Sequence, residues 1–324
     1  MKAIVTGGAG FIGSHLCDKL LERGDQVLAV DNLSTGDIKN IETLKDNSNF
    51  QFLQHDVVQP LPSEVSADQI YHLASPASPN LHNPKSYHAL GFETMQANTT
   101  GTWNLCELAT KLGAKFLFTS TSEVYGEPLE HPQKESYRGN VSTTGPRSVY
   151  DESKRFGETI TLAFVRSKGL DGRIIRVFNT YGPRMAEDGR VVMEFVTAAL
   201  QNKPFPVFGD GKQTRSFCFV SDLIDGIIAG MEKGKKGEVY NLGNPNEFTI
   251  LELAQKVKEL TNSLSDVGFA RKLPEDDPIR RCPDISKAKR ELGWEPKIEL
   301  DEGLRYILAY FNHRVIASKT KSIS

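Results

Sequence analysis

Three glycines, Gly7, Gly10 and Gly13, stand between the short apolar run Lys2–Thr6 and a stretch in which Leu16, Leu20 and Leu21 recur at helical spacing. This is the feature that most narrows the fold. A buried strand must turn sharply into a helix, which Gly24 then stops. Glycine permits that turn, and its missing Cβ lets a diphosphate approach the backbone N–H groups at the helix N-terminus. The pattern alone also describes an ordinary glycine turn. The next strand, residues 26–30, supplies the context because it ends at Asp31. A carboxylate at that place accepts hydrogen bonds from ribose hydroxyls and repels a 2′-phosphate. Asn32, Leu33 and Ser34 follow without an arginine. The turn is therefore expected to hold NAD rather than NADP. Asp56, past a third apolar run at residues 50–55, is placed to meet the adenine.

Further apolar runs at residues 69–74, 115–120 and 173–178 alternate with helical stretches at 94–112 and 150–167. Strand alternating with helix predicts an α/β fold, a Rossmann-type doubly wound parallel sheet with helices on both faces. After Asn179 glycine, proline and short elements become denser. Residues 1–178 read as an NAD-binding domain, and 179–324 as a smaller, mixed α/β, mainly substrate-binding domain whose boundary is interleaved with the first. Thr249 and Glu252 form the signature of a capping box opening a helix to about residue 260. Residues 318–324 are polar and expected to fray.

The chain has 324 residues, 39% hydrophobic and 25% charged, which suits one large or two modest globular domains. A net charge of −2 gives no basic face for nucleic acid or an anionic membrane. There is no signal segment and no apolar run of spanning length, so a cytoplasmic enzyme is expected. Cys17, Cys106, Cys218 and Cys282 lack CxxC spacing and read as reduced core residues. The seven histidines show no paired-ligand spacing, so no metal is expected, and His72 reads as a core histidine.

Tyr150 and Lys154 are four apart and share a helix face. An ammonium beside a phenol lowers its pKa toward working pH, making a general base for a sugar hydroxyl. Lys154 can also hold the nicotinamide ribose. Thr121, just past the run 115–120, is placed to hydrogen-bond the same hydroxyl.

These motifs identify the chain as resembling the extended short-chain dehydrogenases/reductases that act on nucleotide sugars, over nearly its whole length, from Thr6 to Pro296. Within that group it most resembles the UDP-glucuronate decarboxylases. The specific pieces are His55-Asp56-Val57-Val58, the run LASPASP at residues 73–79, Thr121-Ser122-Glu123-Val124-Tyr125-Gly126, the run YDESKR at residues 150–155, and Arg281-Cys282-Pro283-Asp284-Ile285. The resemblance implies further cofactor contacts at Phe11, Ile12, Asn32, Val57, Leu73, Ala74 and Ser75. It implies C4 oxidation of the sugar by NAD, loss of CO2 from C5, and re-reduction to UDP-xylose. Related 4,6-dehydratases carry Asp-Glu where this chain has Ser122-Glu123, and the aspartate protonates a leaving 6-hydroxyl. Plain 4-epimerases usually lack the glutamate. Glu123 is expected to position the sugar or manage the proton returned to C5. Arg281 is expected to bind the substrate carboxylate or stabilise the enolate, with Arg280 as the competing assignment and a surface bridge to Asp276 or Asp277 as its structural alternative. Arg147, three residues before Tyr150, is a candidate second sugar contact. Asn179 and Arg215 align with diphosphate-binding positions, and Arg190 and Val191 with base-holding ones. A homodimer through residues 98–112 and 150–167 is also implied. Residues 82–96 are longer than the family pattern and read as a lid or an interface element. Competing functions are 4-epimerisation or 4,6-dehydration of a nucleotide sugar and, in another class, a catalytically silent NAD-binding regulatory protein.

Overall fold

The computed structural model describes residues 1–271 and 278–321. Asp276 and Asp277, the alternative partners for Arg281, lie outside the described residues.

The first half alternates strand and helix. Its elements are β1 (Lys2–Thr6), α1 (Phe11–Glu22), β2 (Gln26–Asp31), β3 (Phe50–Gln54), β4 (Gln69–His72), α2 (Gly91–Gln96), α3 (Thr102–Leu112), β5 (Lys115–Thr121), α4 (Ser148–Lys168) and β6 (Asp171–Val177). Side chains alternate across the sheet with the period of two that strands impose. Val5 and Leu117 enter one hydrophobic layer, while Ile4, Phe116 and Phe118 enter the layer on the other face. Burial on both faces explains why these strands read as apolar runs and not as alternating ones.

The later elements are β7 (Thr180–Tyr181), α5 (Val191–Leu200), β8 (Phe205–Phe208), β9 (Thr214–Ser216), β10 (Cys218–Phe219), α6 (Val220–Lys233) and β11 (Val239–Leu242). They are followed by β12 (Glu247–Thr249), α7 (Ile250–Thr261), β13 (Val267–Arg271), β14 (Arg280–Arg281), α8 (Ser286–Leu292) and α9 (Leu300–Lys321). The main sheet has seven strands in the order β3-β2-β1-β4-β5-β6-β11. Every neighbouring pair is parallel. Its last strand, β11, comes from the second half of the chain. Among the described residues three small sheets, β7 with β10, β8 with β13, and β9 between β12 and β14, lie outside it. Strand order reverses between β1 and β4, which opens a crevice beyond the carboxyl ends of the strands. Thr6, Asp31, His72 and Thr121 end their strands at that crevice.

The helix expected over 94–112 is instead α2 and α3 joined by a π turn, Ala97–Gly101. The widened turn directs the buried Asn98 at α4, where its amide donates to Ser153 Oγ at 3.0 Å. Gly157 permits this approach, since a Cβ there would lie 2.8 Å from the Asn98 carbonyl. Thr249 and Glu252 form the expected capping box at the start of α7. All four cysteines are free and buried. The tail expected to fray is helical to Lys321, and residues 322–324 lie outside the described residues. Among the described residues no helix is long and apolar enough to cross a membrane.

Candidate active site

A cavity of about 1310 Å³ follows the carboxyl ends of the main sheet. Its cofactor end is built by the glycine turn. A Cβ on Gly13 would collide with the Gly7 carbonyl, and one on Gly7 (φ +73°) would lie 2.9 Å from Ala74 N. Gly10 caps α1 without a side chain, so nothing of its own covers the helix N-terminus. Asp31 is nine-tenths buried and accepts from Ala9 N at 3.0 Å and Leu33 N at 2.8 Å. Burial pushes its carboxyl up, and these two bonds oppose that. Asn32 donates to Asp56 at 3.0 Å, joining the ends of β2 and β3. Gly7, Gly10, Phe11, Ile12, Gly13, Asp31, Asn32, Asp56, Val57, Leu73, Ala74 and Ser75 all line the cavity. The cradle and the carboxylate suit a dinucleotide with a free ribose diol.

The reactive centre comes from the end of β5 and the first turns of α4. Thr121 Oγ1 accepts from Glu123 N at 3.2 Å, shaping the single turn Ser122–Tyr125. Lys154 Nζ donates to the Thr119 carbonyl at 2.8 Å and lies 5.0 Å from the Phe118 ring centre. Burial lowers Lys154 to about 7, opposed by Glu158. Burial of His72, helped by the Lys154 charge, holds that imidazole near 3, so it is neutral; its Nδ1 lies 2.8 Å from Thr6 Oγ1.

Tyr150 departs from the sequence expectation. Burial pushes its phenol up, and the main opposing effect is a hydrogen bond with Thr121, not the charge of Lys154. The reason is geometric: Lys154 Nζ is turned to Thr119 and sits 5.9 Å from the Tyr150 ring centre. In the protein alone, Lys154 does not bring the phenol to working pH.

Glu123 accepts from Arg147 Nη2 at 2.6 Å and from Arg281 Nη2 at 3.3 Å. The guanidiniums of Arg281, Arg147 and Arg215 together hold its carboxyl at about 2 against the cost of burial. Arg281 was expected to meet substrate. It is only 1% exposed and is absent from the cavity wall. It donates to the Ser122 carbonyl and, at 3.1 Å, to the Gly126 carbonyl, so it braces the Ser122–Gly126 turn from behind. Arg147 and Arg215 do line the cavity, as do Thr121, Ser122, Glu123, Asn179, Arg190 and Val191. Arg190 donates to Asp188 at 2.8 Å and lies over the Phe11 ring at 5.7 Å.

Two features were not legible in sequence. Tyr87, in the long segment, is 1% exposed and stacks on Tyr150, with ring centres 4.8 Å apart. A bridge from Ser86 to Ser78 and a bond from Ser78 Oγ to the Asp188 carbonyl hold this segment as a wall of the cavity. Separately, His131, Glu247 and Cys282 bring ligand-type atoms within 4.8 Å of one another from three distant segments. His131 and Glu247 already pair at 2.7 Å, and the Gln133 amide lies 3.3 Å from His131 Nδ1, so the imidazole is engaged at both nitrogens.

The family model for GDP-mannose 4,6 dehydratase matches residues 4–307. The chain belongs to that family. A UDP-glucuronic acid decarboxylase of Arabidopsis thaliana is 52% identical over 98% of this chain and 71% of its own. One from Danio rerio is 49% identical over 97% of this chain and 73% of its own. A Bacillus cereus UDP-glucuronic acid 4-epimerase, solved with UDP-glucuronic acid and NAD, superposes with a TM-score of 0.84 at 30% identity. That match covers 97% of this chain and 99% of the other.

Proposed function

We infer that the chain is a UDP-glucuronate decarboxylase, an extended short-chain dehydrogenase/reductase that forms UDP-xylose with NAD as a recycled cofactor. The observation that carries this reading is Glu123 held as a carboxylate by Arg147 and Arg281, directly after Ser122 and within the cavity that contains Tyr150. A serine at that place has no acid to expel a 6-hydroxyl, so dehydration is disfavoured. Arg147 and Arg215 line the cavity beside Glu123, and guanidiniums there suit the carboxylate of a sugar acid.

Gly7, Gly10, Gly13 and Asp31 hold NAD, and Lys154 holds its nicotinamide ribose. Bound there, NAD would supply the hydride acceptor for C4 and the hydride donor for the return step. Tyr150 takes the C4 hydroxyl proton, with Thr121 hydrogen-bonded to its phenol. The 4-ketone makes the substrate a β-keto acid, and the bond from C5 to the carboxylate breaks to release CO2. Arg147, at the cavity wall, stabilises the enolate that forms. Arg281 acts through Glu123 as a positioning residue. Glu123, held near 2, stays ionised at neutral pH, so it orients the sugar, and the proton that C5 gains after CO2 leaves comes from solvent water. Tyr150, carrying the proton it took, gives it back when the ketone is reduced. Asn179 and Arg215 receive the diphosphate, and Arg190 and Val191 the base.

Residues 1–178 serve mainly NAD and 179–324 mainly the nucleotide sugar. The chain works as a cytoplasmic homodimer. Exposed Phe92, Trp103 and Phe156 on α2, α3 and α4 support pairing through these helices. Incubation with UDP-glucuronate and NAD tests the reading: UDP-xylose must appear, and Tyr150→Phe must not produce it.

A further inference from the structure

Glu158 is buried, charged and outside the cavity wall, and no step above uses it. It lies on α4 one turn beyond Lys154. Its Oε1 accepts from Ser120 Oγ at 2.6 Å and from Arg176 Nε at 2.9 Å, and its Oε2 accepts from Arg176 Nη2 at 2.8 Å. Ser120 directly follows Thr119, whose carbonyl receives the Lys154 ammonium. Arg176 continues to Tyr125 Oη at 2.9 Å, and Tyr125 to Asn241 at 2.7 Å. A buried ion pair is weak evidence of stability, because apolar residues of similar volume often do as well. What this pair does that an apolar pair could not is fix a carboxylate one helical turn from Lys154.

We propose that Glu158 is a positioning residue for the base, holding the end of β5 against α4 and supplying the negative charge beside Lys154. This rests on the reading of Tyr150 and Lys154 given above. Tyr150 and Glu158 face Lys154 from α4 and His72 from β4, while Arg176 on β6 and Tyr125 on the turn after β5 face Glu158. His72 is neutral, so Glu158 is the anion that opposes desolvation of Lys154. The sign follows. An ammonium near 7 is present below that pH and lost above it, so steps that need it fade as pH rises. Removing Glu158 moves that loss to lower pH.

The experiment compares wild type, Glu158→Gln, Glu158→Asp and the double variant Glu158→Gln/Arg176→Met. The double variant leaves no buried guanidinium unpaired, so it remains informative if the single variant folds poorly. Two readouts are taken: the alkaline limb of kcat/KM for UDP-glucuronate, and the titration midpoint of Lys154 by NMR on lysine-labelled protein. Both should fall by about one pH unit in the glutamine variants, about tenfold in ammonium at fixed pH. The aspartate variant should return most of the shift. An unmoved Lys154 midpoint in the double variant overturns the proposal, however far kcat drops. Absence of turnover in the wild type would instead reject the decarboxylase reading, and the NMR midpoint would still decide the role of Glu158.

Discussion

Replacing Glu123 with glutamine removes one charge and one acceptor from a cluster built around them. The wild-type carboxyl is held at about 2 against an ordinary 4.5. At about 1.4 kcal/mol per pKa unit, that is roughly 3 kcal/mol of charge stabilisation. A second route gives a similar figure. Arg281 is 1% exposed, and stripping a buried cation of its carboxylate costs about 3–5 kcal/mol. The folded pKa is depressed, so the stabilisation is present above about 4.5 and is lost as pH falls toward 2. Denaturant unfolding at pH 7 should therefore show Glu123→Gln less stable by about 3 kcal/mol, with the difference narrowing below pH 4.5. Under conditions where the variant is still folded, decarboxylation should fall by about 100-fold or more while NAD binding stays near normal. A stability loss within about 0.5 kcal/mol, the scale of ordinary surface changes, would refute the claim that Glu123 holds the arginine cluster together.

Three other substitutions probe separate parts of the site. Tyr150→Phe should abolish product formation and leave NAD bound, read by activity assay and by cofactor content after gel filtration. Gly13→Ala should lose the cofactor, because its Cβ collides with the Gly7 carbonyl; NAD titration by fluorescence checks this, and near-normal affinity contradicts it. Trp103→Asp with Phe156→Asp should shift sedimentation to the monomer, and an unchanged mass would place the interface elsewhere.

The fold was legible wherever neighbours in sequence settle the structure. The glycine turn, Asp31, the pair Tyr150 and Lys154, and the capping box at Thr249 each act within one turn or one strand end. The π turn at Ala97–Gly101 was not, because it answers to packing of Asn98 on Ser153, 55 residues away. The same limit explains the site. Arg281 carries a motif, but only the fold reveals that it faces the Ser122–Gly126 turn and leaves the cavity wall to Arg147. Tyr87 reads as an aromatic in an unusually long loop, and its stacking on Tyr150 depends on the Ser78–Ser86 bridge. The carboxylate of Glu158 finds Arg176 on a different strand. The phenol of Tyr150 shows a limit of another kind: motif spacing gives proximity to Lys154, whereas burial and the direction of the ammonium decide the titration.

The most direct test is to incubate the purified protein with UDP-glucuronate and catalytic NAD and follow the nucleotide sugar by mass spectrometry and proton NMR. The expected result is loss of the mass of one CO2 with the spectrum of UDP-xylose and no net NADH. An unchanged mass with inverted C4 would contradict it in favour of an epimerase, and an unaltered substrate would contradict decarboxylation outright.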